Sequence, residues 1–211
     1  MRKYGNKMNF LRFRDEFFEI GCLSTHQVYA WHSDFDKNNL TRWTKQRLLI
    51  KLRQGYYAFP EYISQRDFSL YVSNRIYKPS YISLHTALAF YGMIPEAVVQ
   101  ITAVSSLKTA EFVNDFGTYT YKKMREELIF GYELLSFGNR TIQFATPEKA
   151  LLDLLYLYPF YDTHKEMEEL RLDEDYMQND FNMERLGEYA KRFGSKALDK
   201  RIKIMKETYG L

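Results

Sequence analysis

Between Leu40 and Phe59 the hydrophobic period changes once, and this change limits the fold more than any other stretch of the chain. From Leu40 to Leu48 the apolar positions Leu40, Trp43 and Leu48 follow a helical spacing. From Leu49 the spacing shortens: Leu49-Ile50-Lys51-Leu52-Arg53 reads as a strand, Gln54-Gly55 as a turn and Tyr56-Tyr57-Ala58-Phe59 as the returning strand, closed by Pro60. Two further helices precede this unit. Phe10 to Ile20 carries aromatic residues at near-helical spacing and stops at Gly21. Ser24 followed three residues later by Gln27 is a capping box, so a second helix starts there and turns Val28 and Trp31 inward. Asp34 to Asn39 is the polar turn before the third helix. Three short helices and a basic β-hairpin are the elements of a winged helix-turn-helix.

Charge follows the same division. Residues 1–66 hold 12 Lys and Arg against 6 Asp and Glu, whereas residues 67–211 hold 18 against 21. A basic front and a mildly acidic remainder suggest two modules with different partners. Lys37, Arg42, Lys45, Arg47, Lys51 and Arg53 lie in one run that contains no acid. The third helix of such a unit lies in the major groove of DNA. Its outer face is expected to carry Asn38, Asn39, Thr41, Arg42, Lys45 and Gln46. Arg42 suits guanine, and Asn38, Asn39 or Gln46 suit adenine. Lys45, Lys51 and Arg53 suit phosphates, which position a protein without reading sequence. Arg53 and Gln54 are placed at the wing tip, within reach of the neighbouring groove. The competing reading is a winged helix that contacts protein through a solvated basic face. Base-edge donors and basic residues sharing one face favour DNA.

The remainder reads as an α+β domain, a small sheet flanked by helices, with the boundary in the polar segment Glu61 to Asp67. The expected division is 1–64 and 65–211. Helices are expected over Asp67–Tyr77 and Ser83–Tyr91, and strands over Val98–Val104, Gly117–Lys123, Leu128–Leu135 and Arg140–Phe144. Leu107–Phe116 reads as a short helix or a loop. Thr146 and Pro147 start a strongly apolar helix through Leu155. Its inner residue Asp153 is either functional or paired with a nearby cation. Asp162–Asp180 is acidic, and two amphipathic helices, Asn182–Phe193 and Ser195–Tyr209, close the chain.

Several chemistries find no motif. The four histidines are scattered, and Cys22, His26 and His32 on one short element cannot close around a metal. Neither GxxxxGK[ST], GxGxxG nor GxSxG occurs. No catalytic residue, metal or cofactor is assigned, and the chain is not read as an enzyme. A lone Cys22 permits no intrachain disulfide and fits a reducing compartment. No apolar run reaches the ~18 residues of a membrane span. Met1–Phe10 lacks a signal-peptide core. The expectation is a cytoplasmic protein without a membrane partner.

Three segments in this order resemble a known family. They are Leu52-Arg53-Gln54-Gly55-Tyr56-Tyr57-Ala58-Phe59, then Tyr81-Ile82-Ser83-Leu84-His85-Thr86-Ala87-Leu88 with Tyr91-Gly92-Met93-Ile94, and finally Thr146-Pro147-Glu148-Lys149-Ala150-Leu151-Leu152-Asp153-Leu154. Together, across residues 11–157, they resemble the AbiEi-type antitoxins of the type IV, abortive-infection toxin–antitoxin systems of bacteria. The resemblance implies a winged helix that binds inverted repeats in the promoter of its own operon as double-stranded DNA, with dimerisation on that DNA allowed. It implies a C-terminal domain that counteracts a nucleotidyltransferase-like toxin without requiring a stable complex. The alternatives are a winged-helix-guided nuclease, which would need a carboxylate cluster on the small sheet for which the sequence offers no strong candidate, and a ligand-responsive repressor with no toxin.

Overall fold

A computed structural model describes residues 8–65, 67–96 and 99–211. Most of the opening segment lies outside these residues, as does Val98, the expected first residue of a strand.

Helix α1 (Phe10–Phe17) starts at Asn9, whose side chain accepts a hydrogen bond from the Arg12 N–H at 2.9 Å. It buries Phe13 and Phe17, one turn apart. The helix ends before the expected Ile20, and the chain turns at Gly21 with φ +74°. A Cβ at Gly21 would stand 2.9 Å from the Phe68 ring, so only glycine lets this turn close on the following module. Strand β1 (Cys22–Ser24) comes next and was not expected. Its three residues are too few to show a period.

Helix α2 (Thr25–Trp31) carries the anticipated capping box. Gln27 N–H donates to Ser24 Oγ at 3.3 Å, and Ser24 N–H donates to Gln27 Oε1 at 2.9 Å. Val28 is buried and Trp31 half-buried. Helix α3 (Asn38–Lys45) begins two residues before the expected Leu40 and ends three before Leu48. Arg47 takes φ +58° there, which leaves Leu48 exposed and gives the core position to Leu49. Strands β2 (Ile50–Arg53) and β3 (Tyr56–Ala58) form the hairpin, and β3 pairs with β1 as well, giving an antiparallel sheet of order β1-β3-β2.

A 3-10 turn, Pro60–Ser64, links this unit to helix α4 (Phe68–Ile76). Then follow strand β4 (Ser80–Ile82), helix α5 (Leu84–Phe90), and strands β5 (Ile101–Ser105), β6 (Ala110–Asn114), β7 (Gly117–Lys123), β8 (Tyr132–Phe137) and β9 (Arg140–Ala145). Helices α6 (Pro147–Leu157), α7 (His164–Glu168), α8 (Glu174–Asn179), α9 (Met183–Phe193) and α10 (Lys196–Tyr209) complete the chain. The six strands form one mixed sheet of order β6-β7-β5-β4-β9-β8. Parallel pairs β5·β7 and β4·β9 alternate with antiparallel ones. The arrangement is α+β, with the sheets flanked by helices.

Two expectations are corrected. Leu107–Phe116 is neither helix nor loop, because Ala110–Asn114 pairs along its length with β7 as a strand. The Leu128–Leu135 strand starts only at Tyr132, because Glu126–Leu128 makes a 3-10 turn that buries Leu128.

The large sheet separates two apolar cores. Successive residues of a strand point to opposite faces. Accordingly Val104 packs with α5, α6, α9 and α10, whereas Ala103 packs with the N-terminal unit. Phe13, Trp43, Leu49 and Phe59 share their core with Phe68, Val72 and Ile76 of α4 and with Tyr119 and Tyr121 of β7. Apolar packing therefore runs across the turn around residue 64 without a break.

Candidate nucleic-acid interface

Helix α3 is held by its inner face. Leu40 and Trp43 are buried, and Trp43 packs against Phe10, Phe13 and Phe35 with ring centroids 5.3, 4.7 and 5.9 Å away. With that face fixed, Asn38, Thr41, Arg42, Lys45 and Gln46 are exposed together. Asn39 departs from the expected outer face. Because the helix starts at Asn38, Asn39 sits one turn before Trp43 and is 8% exposed. Its Oδ1 accepts from the Arg42 guanidinium at 2.7 Å, so Asn39 orients Arg42 and is not free to read a base.

The hairpin sorts its polar residues in the same way. Lys51 and Gln54 are exposed, and Gly55 at φ +81° makes the tip. Arg53 is corrected. The strand register shifts between Lys51 and Arg53, and Arg53 is half-buried. Its guanidinium donates to the Ile76 carbonyl at 2.6 Å and lies over Tyr56, Tyr77 and Phe112, at 5.7, 5.5 and 4.8 Å from the ring centroids. Arg53 thus fastens the hairpin to α4 and β6. Asn114 strengthens the joint by donating to the Leu52 carbonyl at 3.1 Å.

Arg47, part of the acid-free run but not of the expected site, is exposed and pairs with Asp115 at 3.0 Å. The charge run in the sequence already contained this signal; the partner carboxylate, 68 residues away, was not foreseeable. Among the described residues, no carboxylate pairs with Arg42, Lys45 or Lys51. The result is a set of exposed donors and cations, Asn38, Thr41, Arg42, Lys45, Gln46, Lys51 and Gln54, whose charges stay in water.

Helix α6 concentrates charge in the opposite setting. Thr146 Oγ1 accepts from the Lys149 N–H, and Pro147 occupies the first turn, as expected. Lys149 and Asp153, one turn apart, are fully buried and paired with each other. Asp153 Oδ2 also accepts from Tyr81 and Ser83 hydroxyls, both at 2.8 Å, while Lys149 Nζ donates to the Tyr81 oxygen at 2.9 Å. Burial pushes the Asp153 carboxyl up and the Lys149 ammonium down, and each partner opposes the other's shift. Glu148 is buried too, accepting from the Asn182 N–H at 3.1 Å and facing Arg185 at 3.5 Å. Cys22 is a buried core residue whose thiol burial pushes up to about 12. Among the described residues no cluster of His, Cys, Asp and Glu could hold a metal, and no helix is long and apolar enough to cross a membrane.

No family model matches the chain, and no curated protein matches it.

Proposed function

We propose that residues 10–59 form a winged helix-turn-helix and that α3 enters the major groove of double-stranded DNA. The order α1-β1-α2-α3-β2-β3 supports this reading: α2 and α3 serve as the helix pair and β2–β3 as the wing. One observation carries it. Helix α3 is locked by Leu40 and Trp43 while Arg42, Lys45 and Gln46 face water without a carboxylate partner. Arg42, pre-oriented by Asn39, reads a base edge. Lys45 and Lys51 contact phosphates, Asn38, Thr41 and Gln46 complete the helix surface, and Gln54 reaches from the wing tip.

On this reading the chain is a transcriptional regulator, and its three family-like segments make it an antitoxin that represses its own operon and counteracts a nucleotidyltransferase-like toxin through residues 65–211. It acts in the cytoplasm, without a membrane partner. Glu148 and Asp153 are engaged inside the core. Arg42→Ala combined with Lys45→Ala is expected to abolish binding to the upstream DNA while circular dichroism stays unchanged. Retained binding would assign recognition to another surface. Co-expression with a neighbouring nucleotidyltransferase tests the antitoxin role, and failure to restore growth would remove it.

A further inference from the structure

A cavity of about 720 Å³ opens where α4, the β8–β9 hairpin and the end of the α1 region meet. That volume falls within the ~300–1,000 Å³ of small-molecule sites. Its wall holds three cations, Arg75, Lys78 and Arg140, against one exposed carboxylate, Glu19. None of the three cations pairs with a carboxylate among the described residues. Arg140 is fixed over Tyr62, Phe68 and Tyr71, at 4.7, 5.2 and 5.4 Å from the ring centroids. Arg75 lies 5.7 Å from the Tyr71 ring centroid. Lys78 is held below the usual lysine range, first by burial and then by the Arg75 charge beside it.

The cavity also gathers buried donors that lack acceptors. Asn74 is 6% exposed, and its Oδ1 accepts from the Gln143 N–H at 2.5 Å, yet its Nδ2 has no partner. Arg75 Nε and Arg140 Nε are likewise buried and unpartnered. Buried polar groups normally find partners. Three cations and a buried amide without an acceptor on one concave wall suit an anion with several acceptor oxygens.

We propose that this cavity binds a phosphorylated small molecule, with its phosphate seated against Arg75, Lys78 and Asn74 and its remaining part against Tyr71. A duplex backbone fits less well, because the Asn74 amide lies at a buried floor rather than on a ridge. The site stands independently of the DNA reading, since none of its residues belongs to α3 or its hairpin.

Inorganic pyrophosphate is the probe, titrated calorimetrically into the full chain at constant ionic strength. Saturable binding is expected. Arg75→Gln with Lys78→Gln should weaken it about tenfold or more, as expected for lost charge-assisted hydrogen bonds. Lys123→Gln with Lys196→Gln, which removes two exposed charges elsewhere, should leave it unchanged. Should the double variant misfold, Lys78→Gln alone must still weaken binding severalfold. Absent saturation, unchanged affinity in the cavity variants, or an equal loss in the remote pair would overturn the proposal. A short DNA duplex is added as competitor. Failure to displace pyrophosphate supports a small-molecule site; displacement would convert the cavity into a seat for backbone phosphate and overturn it.

Discussion

Helices α3 and α6 use the same materials in opposite ways. Both set lysines and polar groups on an apolar frame. In α3 the apolar side anchors the helix and Arg42 and Lys45 remain in water, available to a partner. In α6 the charges Lys149 and Asp153 are sealed inside and satisfied by one another, Tyr81 and Ser83. The desolvation cost of a buried pair is recovered only while the network is complete. Charge on α3 is therefore expected to govern binding, and charge on α6 to govern folding.

The largest effect on stability is expected in α6. Lys149→Met strands a buried carboxylate and should cost about 3–5 kcal/mol in chemical denaturation. Adding Asp153→Leu should recover part of that loss, because no charge is stranded while the Tyr81 and Ser83 hydroxyls lose their acceptor. A double variant less stable than the single one would break the comparison.

Arg53 tests the boundary between the two regimes. Arg53→Met should lose about 1–3 kcal/mol of stability, since it removes the bond to the Ile76 carbonyl and the contacts with Tyr56, Tyr77 and Phe112. The salt dependence of DNA binding by the folded variant should stay as in the parent. A shallower slope would return Arg53 to the phosphate-contacting set.

Arg42→Ala with Lys45→Ala should change stability by no more than about 1 kcal/mol, chiefly through the acceptor left on Asn39. A larger loss of stability would move these residues to the structural side of the comparison.

The smallest effect concerns Asp162, an exposed carboxylate held below its ordinary value of 3.8, chiefly by its hydrogen bond from Lys200. A lowered folded value stabilises the protein above the ordinary carboxylate range, and that contribution is lost as pH falls through the folded value. Asp162→Asn should therefore lower the melting temperature slightly at neutral pH and converge with the parent in strong acid. A difference that grows in acid would contradict the assigned pairing.

Particular residues show why some of this was legible in the sequence. Ser24 with Gln27, and Thr146 with Pro147, announce helix starts because their side chains and rings act locally. Gly117–Lys123 was readable as a strand because its alternation is long enough to count. Strands β1 and β4 have three residues each, shorter than any period test, and only their partners across the sheet define them. Strand β6 was misread because pairing with β7, not its own composition, makes it extended. The start of α3 was misplaced by two residues because its Lys37 cap makes no side-chain hydrogen bond, and Asn39 was assigned to the wrong face as a consequence. The acid-free run correctly marked Arg42 and Lys45 as exposed, whereas the fate of Arg53 depended on the rings of Tyr77 and Phe112 from two distant segments. The cavity beside α4 joins Arg75 and Lys78 from one stretch to Arg140 from a distant one, so no local pattern could announce it.

The most direct measurement of the DNA reading is a gel-shift titration of the full chain against its own upstream duplex, beside a scrambled duplex of the same length, at two salt concentrations. Counterion release predicts weaker binding to both duplexes at the higher salt. Preference for the upstream duplex is expected to persist there, because base contacts from α3 survive screening. Equal, salt-sensitive binding to both duplexes would contradict it and reduce the α3 face to an electrostatic patch.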